Sequence, residues 1–169
     1  MKKKNVLITG GTGFIGSAIT KYLIKNKYKV SVFDNNSRGK LNRLHEVANK
    51  FVFINGDIRN IKKVSAACKN KDVVIHLAYV NGTETFYKKP IEILDIAVKG
   101  IINVIESCIK NKIKELYIAS SSEVYQTPFT IPTKESEMLK IPDIYNPRYS
   151  YGGGKIISEL LGIHNGKKY

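Results

Sequence analysis

The fold is decided by residues 5–17, which read NVLITGGTGFIGS. The apolar run that opens this stretch stops at a cluster of glycines, as a buried parallel strand does. A pattern with helical spacing continues from Phe14 to Asn26, with its apolar positions at Ile15, Ile19, Tyr22 and Leu23. The stretch therefore predicts a strand, a tight glycine turn and a helix in direct succession.

The rest of the chain repeats this alternation. Further strands are predicted at Lys29–Phe33, Phe51–Asn55, Asp72–Leu77 and Ile113–Ala119, and helices at Lys40–Ala48, Ile61–Lys69, Pro90–Asn111 and Ser150–His164. Strands separated by helices indicate right-handed β-α-β units, which build a parallel sheet covered on both faces. The 169 residues suffice for one domain and are too few for two of ordinary size. We therefore predict a single α/β domain over residues 1–169, a doubly wound parallel sheet of the Rossmann type.

The composition excludes several classes of protein. Hydrophobic residues make up 43% of the chain and charged residues 25%, which are globular proportions rather than those of a disordered chain. No stretch approaches the roughly 18 uncharged apolar residues that a membrane span needs. After the basic start Met1-Lys2-Lys3-Lys4, the apolar run ends at Thr9 and is too short for the core of a signal peptide. We therefore predict a cytoplasmic protein that does not associate with membranes.

The net charge of +14 raises the question of nucleic-acid binding. Of the 28 basic residues, only Arg38, Arg43, Arg59 and Arg148 are arginines, and the lysines are spread along the chain without a block. No cluster combines arginines with aromatic residues, as binding to single strands would require. Solvated lysine faces are the favoured interpretation, and we predict no specific binding to nucleic acid.

The cysteines and histidines do not form a metal-binding pattern. Cys68 and Cys108 are far apart in sequence, and we expect both to be small buried residues in a reducing compartment. His76 ends a predicted apolar strand and is expected to be packed, whereas His45 and His164 are expected at the surface. No metal site is predicted.

The glycine turn has the spacing of a dinucleotide-binding loop. Gly10 permits the tight turn, Gly13 lets the backbone approach a pyrophosphate, and Gly16 lets the helix and strand pack closely. The N terminus of the following helix offers unpaired N–H groups to phosphates. Asp34 ends the next strand, where its carboxylate can accept hydrogen bonds from ribose hydroxyls and repel a 2′-phosphate. We therefore predict NAD rather than NADP, against the alternative that the glycines only make a turn.

Motifs along nearly the whole chain resemble those of the NAD-dependent epimerase/dehydratase family, which comprises extended short-chain dehydrogenases that modify nucleotide sugars. The motifs are Gly10-Gly11-Thr12-Gly13-Phe14-Ile15-Gly16-Ser17, Asp34-Asn35, Gly56-Asp57-Ile58, His76-Leu77-Ala78, Ser120-Ser121-Ser122-Glu123-Val124-Tyr125 and Tyr151-Gly152-Gly153-Gly154-Lys155. They are specific for the family and not for the substrate. The resemblance implies an enzyme that uses NAD and acts on a nucleotide sugar through a transient 4-keto sugar.

The resemblance also implies a set of cofactor-binding residues. Asp57 would bond the adenine amino group with Ile58 beside the ring, and Leu77 to Tyr79 would pass under the nicotinamide end. The full set is Gly10, Gly13, Phe14, Ile15, Gly16, Asp34, Asn35, Ser37, Asp57, Ile58, Leu77, Ala78, Tyr79, Tyr151 and Lys155.

The implied catalytic residues are Ser121, Glu123, Tyr151 and Lys155. Tyr151 and Lys155 are four residues apart, so they share one face of a helix, where the ammonium can stabilise a phenolate. The phenolate would remove a proton from a sugar hydroxyl that Ser121 also bonds, while Lys155 would hold the nicotinamide ribose. The alternative is a solvated helix face. Residues 152–154, all glycine, destabilise a helix by roughly 2–3 kcal/mol relative to alanine. Glycines at this cost indicate that the cofactor or a partner helix approaches the backbone closely.

The role of Glu123 leaves the reaction open. It follows the catalytic hydroxyl by two residues, as in dehydratases and decarboxylases of this family. Arg148, three residues before Tyr151, is a second point of resemblance to those enzymes. Glu123 is either a second acid/base or a structural carboxylate bonded to nearby backbone. The expected function is an epimerase or dehydratase, and the alternatives are a decarboxylase of the same family and a catalytically silent NAD-binding protein.

The sequence departs from the family pattern at three positions. Tyr79 stands where a small residue is common, Gln126 replaces a glycine, and Ala97 stands where an asparagine is usual. Members also continue for well over a hundred residues past the tyrosine–lysine helix, so the C-terminal substrate domain is expected to be missing from these residues.

The resemblance further implies a homodimer. Family members commonly pack the two helices predicted at Pro90–Asn111 and around Tyr151 into a four-helix bundle. The first of these has a broad apolar face, formed by Ile91, Leu94, Val98, Ile101, Ile102 and Ile105.

Overall fold

Five parallel strands form the centre of the computed structural model, which describes residues 3–169. The strands are β1 (Asn5–Thr9), β2 (Lys29–Asp34), β3 (Phe51–Asn55), β4 (Val73–His76) and β5 (Glu115–Ile118), in the order β3-β2-β1-β4-β5. In register, Thr9 of the central strand lies between Phe33 of β2 and His76 of β4. This is the strand order of a doubly wound fold, and the predicted fold class is confirmed. In the described part of the chain, β3 and β5 are the two edges of the sheet.

Helices cover both faces of this sheet. They are α1 (Phe14–Lys25), α2 (Ile61–Cys68), α3 (Thr83–Lys88), α4 (Pro90–Lys110) and α5 (Ser150–Lys168), with 3-10 helices at Leu41–Val47, Ser122–Val124 and Pro147–Tyr149. Local chemistry explains several boundaries, because Asn60 caps α2 by accepting a hydrogen bond from the Lys63 N–H and a proline begins α4. Among residues 3–169, every helix falls short of the combined length and apolarity that a membrane crossing requires.

The core has two layers because successive strand residues point to opposite faces. Leu7 packs with residues from α2 and α4 on one face, whereas Val6 and Ile8 pack with α1 and the first 3-10 helix on the other. Burial on both faces is why β1 is a continuous apolar run in the sequence. Cys68 and Cys108 are buried free thiols in the first of these layers, as expected.

The elements differ from the predictions in three places. The helix predicted at Lys40–Ala48 is a 3-10 helix, since its only buried residues, Leu44 and Val47, are three apart. Helix α3 was not predicted, because Phe86 is its only buried residue and no periodicity marks it. On α1, Ile15 and Tyr22 are 63% and 66% exposed, so the predicted apolar face is narrower than the sequence pattern. Met1 and Lys2 of the basic start lie outside the described residues.

The strand order places a crevice at the carboxyl ends of β1 and β4. The chain leaves β1 toward β2 and β3 on one side of the sheet, and it later enters β4 and β5 on the other side. The loops that follow β1 and β4 therefore diverge, and ligands of doubly wound folds bind in the resulting gap.

Candidate functional site

A cleft lies in this crevice. Most of the residues that the family resemblance assigned to the cofactor line it, namely Gly10, Gly13, Asp34, Asn35, Ser37, Asp57, Ile58, Leu77, Ala78 and Tyr79. Phe14 and Ile15 are exposed on the first turn of α1, and Gly16 is buried behind the loop. Tyr151 and Lys155 lie on α5. The sequence analysis did not assign Arg38, which also lines the cleft.

The glycine loop at one wall of the cleft requires its glycines. Gly10 has a φ of +73°, and a Cβ there would lie 2.6 Å from the backbone nitrogen of Ala78 on the loop after β4. A Cβ on Gly16 would overlap the carbonyl oxygen of Gly10. The Gly13 N–H donates to that same carbonyl at 3.1 Å. The predicted roles of Gly10 in the turn and of Gly16 in helix packing are therefore visible in the backbone itself.

Asp34 ties the glycine loop to the turn that follows β2. Its buried carboxylate accepts hydrogen bonds from the N–H groups of Thr12, at 3.0 Å, and Asn36, at 2.9 Å. Each carboxylate oxygen can accept two hydrogen bonds, so both retain capacity for ribose hydroxyls. A fixed negative charge at this place in the cleft fits NAD better than NADP.

Asp57, which also lines the cleft, is held by an arginine that was not predicted from the sequence as its partner. The Arg59 guanidinium donates to both carboxylate oxygens of Asp57, at 2.7 and 3.0 Å, and the Asn35 amide donates to one of them at 3.2 Å. The hydrogen bond from Arg59 lowers the pKa of Asp57, so the carboxylate stays charged. Arg59 also reaches Asp95 on α4 at 3.4 Å. The spacing of Asp57 and Arg59, two residues apart after a strand, was the available signal for this pair.

Tyr151 and Lys155 are buried together, with 6% and 5% of their surfaces exposed. The alternative of a solvated helix face is therefore wrong. The Lys155 ammonium donates to the carbonyl of Ala119, directly after β5, at 2.7 Å, and it lies 5.9 Å from the centroid of the Tyr151 ring. Burial lowers the pKa of Lys155 to about 8, although the nearby charge of Glu159 partly opposes this shift. The ammonium therefore loses its proton readily in mildly alkaline solution.

Ser121 and Glu123 lie on the turn that follows β5. The Ser121 hydroxyl oxygen accepts a hydrogen bond from the Glu123 N–H at 3.2 Å, so Ser121 caps the N terminus of the 3-10 helix Ser122–Val124. The Glu123 carboxylate pairs with the Arg148 guanidinium at 3.4 Å, with both side chains about one-third exposed. This ion pair joins the turn after β5 to the segment that leads into α5.

The glycine run of α5 is approached by other side chains and backbone of this chain. A Cβ on Gly152 would lie 2.8 Å from the carbonyl oxygen of Glu123, and one on Gly153 would lie 3.2 Å from Ile141. A Cβ on Gly154 would overlap the Tyr79 hydroxyl. The expected close approach to these glycines is therefore present, and Tyr79, Glu123 and Ile141 of the same chain make it.

Beneath the cleft, His76 links the ends of the two central strands. Its Nδ1 lies 2.7 Å from the Thr9 hydroxyl oxygen, which also accepts a hydrogen bond from the Ala78 N–H at 3.3 Å. Burial, with a smaller contribution from the Lys155 charge, lowers the pKa of His76 to about 3, so the imidazole is neutral. The interpretation of His76 as a packed histidine is confirmed.

The sequence model of the NAD dependent epimerase/dehydratase family matches residues 6–169. The chain belongs to this family. It is 33% identical over 159 residues to the UDP-N-acetyl-alpha-D-glucosaminuronate decarboxylase of Bacillus cytotoxicus, covering 94% of this chain and 49% of that protein. The chain spans about half the length of the curated relatives it matches.

Solved structures of the family share the architecture. The UDP-N-acetylglucosamine 4-epimerase of Methanobrevibacter ruminantium, in complex with UDP-N-acetylmuramic acid, superposes with a TM-score of 0.88 at 31% identity, covering 100% of this chain and 52% of that chain. The UDP-glucose 4-epimerase of Bifidobacterium longum, in complex with NAD+ and UDP, gives a TM-score of 0.81 at 29% identity, covering 93% and 47%. The family is NAD dependent, which confirms the predicted cofactor.

The neutral state of His76 sets an expected pH dependence of stability. The pKa of His76 is lowered from 6.5 to about 3 on folding, so below pH 6.5 the unfolded chain binds a proton that the folded chain does not. We expect this residue to reduce the free energy of unfolding by up to about 1.4 kcal/mol per pH unit as the pH falls through this window. Urea unfolding of wild type and His76→Asn at several pH values should show a smaller loss for the variant.

The matched control is His45→Asn, because His45 is exposed. The His45→Asn variant should lose as much free energy of unfolding as the wild type does when the pH falls. Equal pH slopes for His76→Asn and wild type would contradict a buried neutral imidazole.

Proposed function

We propose that the protein is an NAD-dependent nucleotide-sugar epimerase or dehydratase, for which residues 1–169 form the cofactor-binding domain. The observation that carries this proposal is the buried Tyr151–Lys155 pair, which Tyr79 connects to the lining of the dinucleotide cleft. Titratable groups of this kind, buried beside a cofactor cleft, are more typical of catalytic sites than of residues that only stabilise the fold. The buried free thiols Cys68 and Cys108 fit a reducing compartment, so we place the reaction in the cytoplasm.

The residues of the cleft fit the cofactor. The glycine loop and the N terminus of α1 would bind the pyrophosphate, with Phe14 and Ile15 contributing their backbone N–H groups. Asp34 would bind the adenosine ribose, and Asp57 would bind the adenine amino group with Ile58 against the ring. Asn35 and Ser37 would complete the adenosine end, while Leu77, Ala78 and Tyr79 would line the nicotinamide end.

Each catalytic residue would have one task. The cofactor, when bound, supplies a hydride acceptor that can later return the hydride. Tyr151 would remove the proton from the hydroxyl of the sugar carbon that is oxidised, and Ser121 would bond the same oxygen. Lys155 would hold the positive charge that stabilises the Tyr151 phenolate, and it would bond the nicotinamide ribose. These roles produce the 4-keto sugar common to every reaction of the family.

The Glu123–Arg148 pair favours a second candidate, a decarboxylase. Glu123 follows the catalytic hydroxyl by two residues, and its carboxylate is paired with Arg148. The chain is also 33% identical to a UDP-N-acetyl-alpha-D-glucosaminuronate decarboxylase. In a dehydratase or decarboxylase, Glu123 would act on the sugar carbon next to the ketone. In an epimerase, the pair would only fix the turn after β5.

We also propose a homodimer through α4 and α5. Ile91, Leu94 and Ile102 are 82%, 40% and 37% exposed on α4, where they follow one stripe at helical spacing. Leu160 and Ile163 are more than half exposed on α5, which packs directly against α4. Ile101 and Ile105 are buried within the chain, so the apolar face available for a partner is narrower than the sequence predicted.

The cofactor assignment predicts a difference between NAD and NADP in thermal shift. NAD at about 100 times its dissociation constant should stabilise the fold by about 2.7 kcal/mol, and NADP should do so much less because its phosphate would face Asp34. Asp34→Asn should reduce this discrimination. Asp143→Asn, which removes an exposed charge elsewhere, should keep it. Equal shifts from the two nucleotides with wild-type protein would refute the role of Asp34.

The reaction is tested with the full-length product, NAD and a panel of UDP-, GDP- and dTDP-linked sugars. Tyr151→Phe should lower turnover by about 100-fold or more, since it removes the proton acceptor. Tyr145→Phe, at a residue 90% exposed, is the matched control and should retain activity. Loss of activity in Glu123→Gln would indicate a dehydratase or decarboxylase, and retention an epimerase.

Two results would contradict this scheme. Full activity of Tyr151→Phe would remove the catalytic assignment. NAD binding by the wild type without turnover of any sugar would favour the silent NAD-binding protein.

The dimer is tested by sedimentation velocity of wild type and Ile102→Glu. The charge would have to be buried between the two copies, so the variant should sediment as a monomer at concentrations where the wild type is a dimer. Ile144→Glu alters an equally apolar residue that is 81% exposed between the 3-10 helices Ser122–Val124 and Pro147–Tyr149, and this variant should remain dimeric. A wild type that stays monomeric at high concentration would rule out the proposed interface.

A further inference from the structure

Two of the departures from the family pattern meet at one point of the structure. A Cβ on Gly154 would overlap the hydroxyl of Tyr79 and would lie 2.6 Å from the Cβ of Ala97. Tyr79 therefore reaches into a space that exists because residue 154 is glycine and residue 97 is small. A large side chain that needs such room from two helices is expected to do something that a small one does not.

The ring of Tyr79 is the closest aromatic contact of the Lys155 ammonium. The Lys155 nitrogen lies 4.0 Å from the centroid of the Tyr79 ring, compared with 5.9 Å from that of Tyr151. The Tyr79 ring also meets the Tyr151 ring edge to face, at 5.1 Å and 79°, and its hydroxyl donates to the Tyr151 carbonyl at 3.4 Å. Its position relative to both residues is therefore fixed from several sides.

The ammonium needs such a partner because it is almost fully buried. Its hydrogen bond goes to the Ala119 carbonyl, and the titratable groups around it are Tyr151 and Glu159 on α5 and His76 on β4. His76 is neutral, and burial raises the pKa of Tyr79, so its ring stays neutral at any pH near neutrality. The face of a neutral aromatic ring attracts a cation, most strongly where water is excluded.

We propose that Tyr79 is a positioning residue for Lys155, whose ammonium is bound by the face of the Tyr79 ring and thereby held beside Tyr151. Gly154 and Ala97 provide the room for the tyrosine hydroxyl. Tyr79 also lines the cofactor cleft, so the same side chain borders the cleft and contacts the ammonium. The consequence for turnover rests on the proposed catalytic role of Lys155, but the contact itself can be measured without any activity.

The test follows the titration of Lys155 by NMR in protein labelled with ¹³C,¹⁵N-lysine, with the signal assigned by its loss in Lys155→Met. In the wild type the midpoint should lie near pH 8. Tyr79→Phe keeps the ring and should keep this midpoint. Tyr79→Leu keeps apolar bulk without a ring, and the midpoint should fall by about one pH unit because the charged form has lost its partner.

Two further variants make the test specific. Tyr79→Met is a second ringless variant whose flexible side chain fills the space differently, and it should shift the midpoint in the same direction as Tyr79→Leu. Phe86→Leu removes a different ring, which stacks on Tyr151 at 5.4 Å and 28°, and it should leave the Lys155 midpoint unchanged. An equal shift in Phe86→Leu would mean that general loosening of the site, rather than the Tyr79 ring, sets the titration.

The proposal is overturned if Lys155 has the wild-type midpoint in both ringless variants, or if Tyr79→Phe shifts this midpoint as far as they do. In the full-length enzyme, the alkaline limb of the pH–rate profile should move to lower pH in the ringless variants only. Absence of turnover in the wild type would contradict the proposed function and leave the NMR result as it stands.

Discussion

The close contact between the backbones of Gly10 and Ala78 is the constraint on which the remaining structure of the site depends. Only a residue without a Cβ can lie at a φ of +73° with its α-carbon against the loop that follows β4. This contact brings the ends of the two central strands together at the place where the strand order reverses. The Thr9–His76 bridge lies directly beneath it, and the neutral state of His76 keeps a second positive charge away from Lys155.

Four separate segments supply residues of the site. The loop after β1 and the turn after β2 are joined by Asp34, and the turn after β5 is joined to the start of α5 by the Glu123–Arg148 pair. Lys155 bonds the backbone directly after β5, which attaches α5 to the sheet. Each tether runs from a charged side chain to a loop at the carboxyl ends of the strands. The rigid sheet thus orients residues that are distant in sequence.

The sequence predicted the sheet well because burial on both faces leaves an unmistakable apolar run at strands such as Asn5–Thr9. It also predicted the positions of Asp34 and the glycine loop, since their geometry is local. Helix α3 was missed because a short element with one buried residue carries no periodicity. The partner of Gly154 could not be predicted either. Tyr79 was recognised as unusual, but the space that it occupies is created by packing between residues that are far apart in the chain.

Within residues 3–169, β5 is an edge strand of the sheet, and this has a consequence for these residues when they are in solution by themselves. An edge strand presents unpaired N–H and C=O groups, which can pair with a strand of another molecule and start aggregation. On that strand the side chain of Tyr117 is 56% exposed, and its hydroxyl donates a hydrogen bond to Glu115. The net charge of +14 opposes such pairing by repulsion between copies. Because salt screens that repulsion, these residues by themselves are protected against edge-to-edge association at low ionic strength and lose this protection in concentrated salt.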